Sequence, residues 1–223
     1  MNTKALRQKI LDLAIHGKLV PQDPNDEPAS VLLDRIRAEK ERLVKEGKIK
    51  RAKKPATSDK SPYGKEEPWE LPQGWEWTTL GEVGEIVTGS TPPKDNLNYY
   101  GSDFPFYKPT DLEQGINTIV STDGLSFEGI SVARKLPTNS VLVTCIGATI
   151  GKTGLIRREG ASNQQINAII PFDIIISEFL YYLCISDFMQ TTIRDNASAT
   201  TLPILNKSSF CCLQIPLPHL AAQ

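Results

Sequence analysis

The stretch Gly147-Ala148-Thr149-Ile150-Gly151-Lys152-Thr153 ends, as a phosphate-binding loop does, in Gly-Lys-Thr. A P-loop sets four residues between its first glycine and that Gly-Lys, so that successive backbone N–H groups can wrap the phosphates, and it opens a helix. Here three residues intervene, the required glycine position holds Ile146, and the following Gly154-Leu155-Ile156-Arg157 reads as a strand. The segment is therefore a glycine-rich hairpin turn presenting an exposed Lys152. No Gly-x-Ser-x-Gly elbow, His-Glu-x-x-His pair, nuclease-type carboxylate motif or glycine-rich methyl-transfer loop appears. Cys145, Cys184, Cys211 and Cys212 form no Cys-x-x-Cys pair, and His16 and His219 lie near opposite ends of the chain. Neither a zinc site nor a disulfide framework is indicated, and the thiols are expected to be buried and free. A strand through Cys211 and Cys212 would turn them to opposite faces.

The chemistry left is recognition by hydrogen bonding. Three polar, loop-like stretches could supply it: Thr88-Gly89-Ser90-Thr91-Pro92-Pro93-Lys94, Ser162-Asn163-Gln164-Gln165 and Ala197-Ser198-Ala199-Thr200-Thr201. Asn and Gln pair bidentately with adenine, Lys with guanine, and the Thr methyl can touch thymine. The same residue types also build turns and cap helices. Charge is uneven. Residues 1–65 hold 16 Lys and Arg against 9 Asp and Glu, while residues 66–223 hold 9 against 17. A basic N-terminal third fits an arm that meets nucleic acid or an acidic partner, or simply a solvated basic helix.

The elements that must carry these residues fall into three regions. Residues 3–17 read as a helix, with Leu6, Ile10, Leu13 and Ala14 on one stripe and Gly17 as its stop. Val20 to Asp26 is a turn by composition. A second helix runs from Pro28 to Glu46 and ends at Gly47. Its stripe of Leu32, Ile36 and Leu43 is thin, which predicts packing against one neighbour rather than core burial, with Glu41 and Lys45 paired along its surface. The arm is thus set at residues 1–47. Residues 48–67 are rich in lysine, serine and proline and read as a flexible basic linker. Residues 68–223 form the main domain, with Trp75 and Trp77 anchoring its core beside a Pro-Gln-Gly turn. Strands are expected at Val141–Ile146, Gln165–Ile170 and Phe210–Ile215, and one helix at Ser177–Arg194. The fold class is α+β: a mixed, strand-rich domain with an N-terminal helical arm. No apolar run approaches the roughly 20 residues of a membrane helix. The N-terminus lacks the apolar core of a signal peptide, so a soluble cytoplasmic protein is expected.

Taken together, these blocks resemble a known family. Leu71-Pro72-Gln73-Gly74-Trp75-Glu76-Trp77-Thr78-Thr79-Leu80-Gly81-Glu82 is similar to the opening of a target-recognition domain in the specificity subunits of type I restriction–modification systems. Thr88–Pro92, Phe106-Tyr107-Lys108-Pro109-Thr110-Asp111-Leu112 and Val143 to Gly154 resemble the blocks that follow. Asn163-Gln164-Gln165-Ile166-Asn167-Ala168-Ile169 and Ile215-Pro216-Leu217-Pro218 resemble the closing ones. Residues 1–50 are similar to the tail of the family's helical spacer, which normally follows a recognition domain.

The resemblance implies double-stranded DNA as ligand and no catalytic centre in this chain. It implies modification subunits that methylate adenine with S-adenosylmethionine, and restriction subunits that translocate and cut with ATP and Mg. It also leads one to expect a long spacer helix and second recognition domain where this sequence reaches Gln223, so that the chain would be a truncated form or a half-subunit able to self-associate through its arm. Phosphate contacts dominate affinity, so a local basic face is expected despite the acidic total. The residues expected at DNA are Thr91, Lys94, Lys108, Lys152, Arg157, Gln164, Thr200 and Lys207, with Arg158 as a further cation. The competing readings are a helical interaction scaffold without DNA specificity, and a fragment of a methyltransferase or nuclease.

Overall fold

The computed structural model describes residues 2–49, 67–198 and 201–223. Most of the expected linker and Thr200 lie outside the described residues. Helix α1 (Thr3–Ile15) begins where Asn2 Oδ1 accepts the N–H groups of Lys4 and Ala5, satisfying two donors that the helix itself cannot pair. It ends just before Gly17, whose φ of 64° suits a residue without a Cβ. Helix α2 (Ala29–Lys45) starts one residue after Pro28, which is extended at φ −65° and ψ 150° rather than helical. Its surface is tied by Arg42 between Glu39 and Glu46 (2.6 and 3.1 Å), not by the expected Glu41–Lys45 pair.

Helix α2 corrects the expectation of a loosely docked arm. Ala29, Leu32, Leu33 and Ile36 are all buried and share one core with Leu80, Val83, Val141, Ile169, Phe210 and Ile215. Leu33 and Ala29 widen the stripe beyond Leu32 and Ile36, and a wider stripe fits a core. Lys40 then reaches the carbonyl of Gly81 at 2.8 Å and Glu82 Oε1 at 3.0 Å. Helix α1 is held less deeply. Leu11 and Ile15 are buried, whereas Leu6 and Ile10 are each 43% exposed. Gln8 accepts the N–H of Asp187 and donates to the Ile185 carbonyl, which pins α1 to the rest of the chain.

The main domain follows in chain order. It comprises β1 (Glu76–Thr79), α3 (Leu80–Val83), β2 (Gly84–Thr88), β3 (Tyr100–Tyr107), β4 (Asp123–Leu125), α4 (Phe127–Val132), β5 (Val141–Thr144), β6 (Thr153–Leu155), β7 (Ala161–Ser162) and β8 (Ile166–Pro171). Helices α5 (Ser177–Ile185), α6 (Asp187–Asp195) and α7 (Lys207–Cys211) precede β9 (Gln214–Leu217). An antiparallel sheet runs β2-β8-β5-β6, a second runs β4-β3-β7, and β1 pairs with β9. The mixed helix and strand content is the expected α+β class.

The central sheet is covered on both faces, as the apolar run at 141–144 requires. Val141, Val143 and Ile169 face the core shared with α2 and α5. The alternate residues Leu142, Ile166 and Ala168 face a second cluster with Tyr107, Leu136 and Ile156. Trp75 donates to Gln22 Oε1 at 2.9 Å and Trp77 to the Trp69 carbonyl at 3.3 Å, so both tryptophans are structural as expected.

Two local expectations fail. The single helix at 177–194 is two, because Ser186 sits at φ −67° and ψ 150°. Its hydroxyl donates to the Leu183 carbonyl and accepts from Met189 N–H, ending α5 and capping α6. The run expected as a strand from Phe210 begins as α7, because Asn206 accepts the Ser209 N–H and nucleates a turn. Cys211 therefore closes a helix and Cys212 caps it; the two do not face apart on a strand. All four cysteines are free. Among the described residues no helix is long and apolar enough to cross a membrane.

Candidate nucleic-acid interface

The register of the central sheet places Thr88, Asn167, Val143 and Thr153 side by side across four strands. Because neighbours run antiparallel, the segment leaving β2, the turn entering β8 and the hairpin joining β5 to β6 all emerge at this one end. The chain after α6 joins them. Ile204 bridges to Ile146, Gly147 donates to the Pro203 carbonyl at 3.0 Å, and Leu205 donates to the Cys145 carbonyl at 2.8 Å. Two of the polar stretches singled out in the sequence, 88–94 and 162–165, far apart in the chain, thus meet at one end of the sheet beside the hairpin and the segment returning through Ile204.

Thr91 and Gln164 meet directly: the Thr91 hydroxyl donates to Gln164 Oε1 at 2.7 Å, and the pair is exposed. Asn163 folds its own turn, accepting the Gln165 N–H and donating to Gln165 Oε1 at 2.8 Å. The two loops touch so closely that a Cβ at Gly89 would run into the carbonyl oxygens of Ser162 and Asn163. Glycine is needed there for close approach of two backbones.

The cations divide. Lys94 is exposed on the turn after β2 and makes no ion pair among the described residues. Lys207 is exposed at the start of α7, which packs against β2. Lys108 follows Tyr107, which pairs with Ser162 and so lies beside the loops, but its ammonium is held by Asp123. Lys152 is on the hairpin as expected, yet it is half-buried and bonded to Glu113 at 2.8 Å. The expectation of a free, exposed lysine fails because residues 111–117 pack beside β6 and bring that carboxylate with them. Arg157 lies beyond Leu155, at the far end of the sheet from the loops. There it is committed to Glu178 at 2.7 Å, Asn139 at 2.9 Å and the Ile116 carbonyl at 3.2 Å. Its bond holds the Glu178 carboxyl below the usual carboxylate range. Arg158 donates to the Asp103 carbonyl at 2.6 Å.

Arg134 was not marked by any sequence signal. Its N–H donates to Ser90 Oγ and its guanidinium to the Thr88 carbonyl, both at 3.1 Å, leaving an exposed cation beside the first polar loop. Its charge and that of Lys207 both reach Glu85 on β2, where burial nevertheless raises the carboxyl above its ordinary value. Lys94, Arg134 and Lys207 are thus exposed cations that make no ion pair among the described residues.

Lys152 gives a test of this division. Its bond holds the Glu113 carboxyl below the usual range. A depressed carboxylate keeps its pair at neutral pH and loses it as pH falls through the folded-state pKa. Glu113→Gln releases Lys152 at any pH. The substitution is expected to raise DNA affinity about threefold at low salt and steepen the salt slope by about 0.9. The wild type should approach the variant as pH falls. Anisotropy titrations at two pH values check both statements, and identical slopes for the two proteins would refute them.

Comparison with known proteins gives a family. Residues 72–223 match the model described as type I restriction modification DNA specificity domain. The HindI specificity subunit of Haemophilus influenzae is 38% identical over 151 residues, 66% of this chain and 33% of that protein. The EcoAI specificity subunit of Escherichia coli is 62% identical over 84 residues, 37% of this chain and 13% of that protein. The chain thus spans at most about a third of these curated relatives. Among solved structures, the HsdS subunit from Thermoanaerobacter tengcongensis aligns with a TM-score of 0.54 at 18% identity, over 98% of this chain and 45% of that one. A chain from a study of complex assembly and conformational transition of the type I R-M system aligns at 0.55 and 19%, over 99% of this chain and 49% of that one. With the family model covering more than half of its residues, this chain belongs to the type I restriction modification DNA specificity domain family.

Proposed function

We propose that this chain reads one part of a DNA target for a type I restriction–modification complex. It directs adenine methylation and restriction by partner subunits and supplies no catalytic group itself. The observation that carries this reading is the convergence of four loop segments at one end of the β2-β8-β5-β6 sheet, two of them polar and joined by the Thr91–Gln164 bond, beside three cations that make no ion pair among the described residues. Rigid elements holding hydrogen-bonding side chains in fixed relation are what base-edge readout requires, while the cations hold phosphates and set register. Thr91 and Gln164 are the base-reading pair, and Lys94, Arg134 and Lys207 the phosphate contacts. The ligand is double-stranded DNA. The partners are modification subunits using S-adenosylmethionine and restriction subunits using ATP and Mg, which places the chain in the cytoplasm with the chromosome.

The chain alone is expected to bind duplex DNA weakly and with steep salt dependence, because it holds part of the reading surface. Anisotropy of a labelled random duplex across a salt series measures this. Absence of binding at low salt would favour the scaffold reading, and tight binding indifferent to salt would contradict phosphate-led contact.

A further inference from the structure

Asn167 lies 3% exposed at the loop-bearing end of β8, and its side chain bonds to two of the converging segments. Its Oδ1 accepts the Thr88 hydroxyl at 2.7 Å, where β2 gives way to the Thr91 loop. Its Nδ2 donates to the Leu205 carbonyl at 3.5 Å, where the segment after α6 returns to the sheet. Beside it lies Cys145, the first residue of the hairpin turn, whose thiol burial pushes up to about 12 while Asn167 acts in the opposite direction. Asn167 is the second residue of β8, directly after the turn that carries Gln164. Backbone bonds complete the arrangement: Gly89 N–H donates to the Ile166 carbonyl at 3.0 Å and Cys145 N–H to the Gln165 carbonyl at 2.7 Å.

A carboxamide offers one acceptor and two donors in a plane. Here it is buried, so each partner lost leaves a polar group without water to replace it. An apolar side chain would fill the space but would let the segments slide relative to one another. We infer that Asn167 is a positioning residue for DNA reading: it fixes the Thr91 loop, the Gln164 turn, the hairpin and the 201–205 segment in one register, and so sets sequence discrimination without touching DNA. This rests on the DNA-reading function proposed above.

Thr88→Val, Thr88→Ser and Asn167→Asp test it in the full chain, first free and then reconstituted with its modification subunits. Thr88→Val removes the hydroxyl, Thr88→Ser keeps it, and Asn167→Asp keeps the acceptor but loses the donor. In the free chain, amide exchange at Gly89, Gly147 and Leu205 is expected to accelerate together, at least tenfold, in Thr88→Val and Asn167→Asp. It should stay at the wild-type rate in Thr88→Ser. In the complex, methylation of sites with one mismatch is expected to rise at least tenfold relative to the cognate site in the same two variants. Exchange that quickens only beside the substituted residue overturns the inference. So does a lowered melting temperature with an unchanged mismatch ratio. Should Asn167→Asp fail to fold, the Thr88 pair decides alone. Should the wild-type complex methylate without sequence preference, the DNA-reading function fails, and the exchange result still judges the coupling.

Discussion

Ile36→Ala is expected to destabilise the chain by about 2–5 kcal/mol, the range for deleting a buried isoleucine side chain. Ile36 is fully buried and belongs to the same core as Leu80, Val141 and Phe210, so the cavity opens in the centre of the molecule. Against a total stability of roughly 5–15 kcal/mol, that loss is large. Leu6→Ala, on the exposed side of α1, should stay within about 0.5 kcal/mol. Urea titrations followed by tryptophan fluorescence compare the two, with an unchanged slope marking a true stability change. If Ile36→Ala cost as little as Leu6→Ala, α2 would be an arm resting on the domain rather than part of its core.

Replacing Lys94, Arg134 and Lys207 together by alanine is expected to weaken DNA binding on the order of a hundredfold at low salt. Each cation that neutralises a phosphate releases condensed counterions and contributes about 0.9 to the slope of log affinity against log salt. The triple variant should therefore flatten that slope by roughly 2.7. Arg157→Ala is the control, since its guanidinium is spent on Glu178, Asn139 and the Ile116 carbonyl at the far end of the sheet. It should leave the slope untouched. The opposite ranking, with Arg157 dominant, would move the interface to the other end of the domain.

What the sequence disclosed follows from how far each signal reaches along the chain. The β-like runs that begin at Val141 and around Ile166 are local, and both strands form close to their expected limits. The glycines at 147 and 151, at φ 99° and 88°, mark the hairpin turn that the near-miss P-loop motif suggested. Thr91 and Gln164 were legible as polar loop residues. Their mutual bond depends on β2 and β8 pairing across about eighty positions, which no local pattern encodes.

The failures share one cause. Lys152 and Arg157 looked free because Glu113 and Glu178 are distant in sequence and arrive only through tertiary packing. No local signal marks Arg134, because its anchors, Thr88 and Ser90, are more than forty residues away. The break at Ser186 and the turn of α7 rest on side-chain caps that compete with an otherwise continuous apolar pattern. The buried face of α2 is wider than its sequence stripe, because Leu33 and Ala29 join it only where a neighbour covers them.

The most direct test of the account is to reconstitute the chain with its modification subunits, map methylated adenines, and repeat the map after exchanging residues 88–94 and 162–165 for those of a relative with another target. The account predicts a discrete methylated sequence that changes, in the part this chain reads, when the two loops are exchanged. An identical methylation map before and after the exchange, from complexes of equal stability, would contradict it.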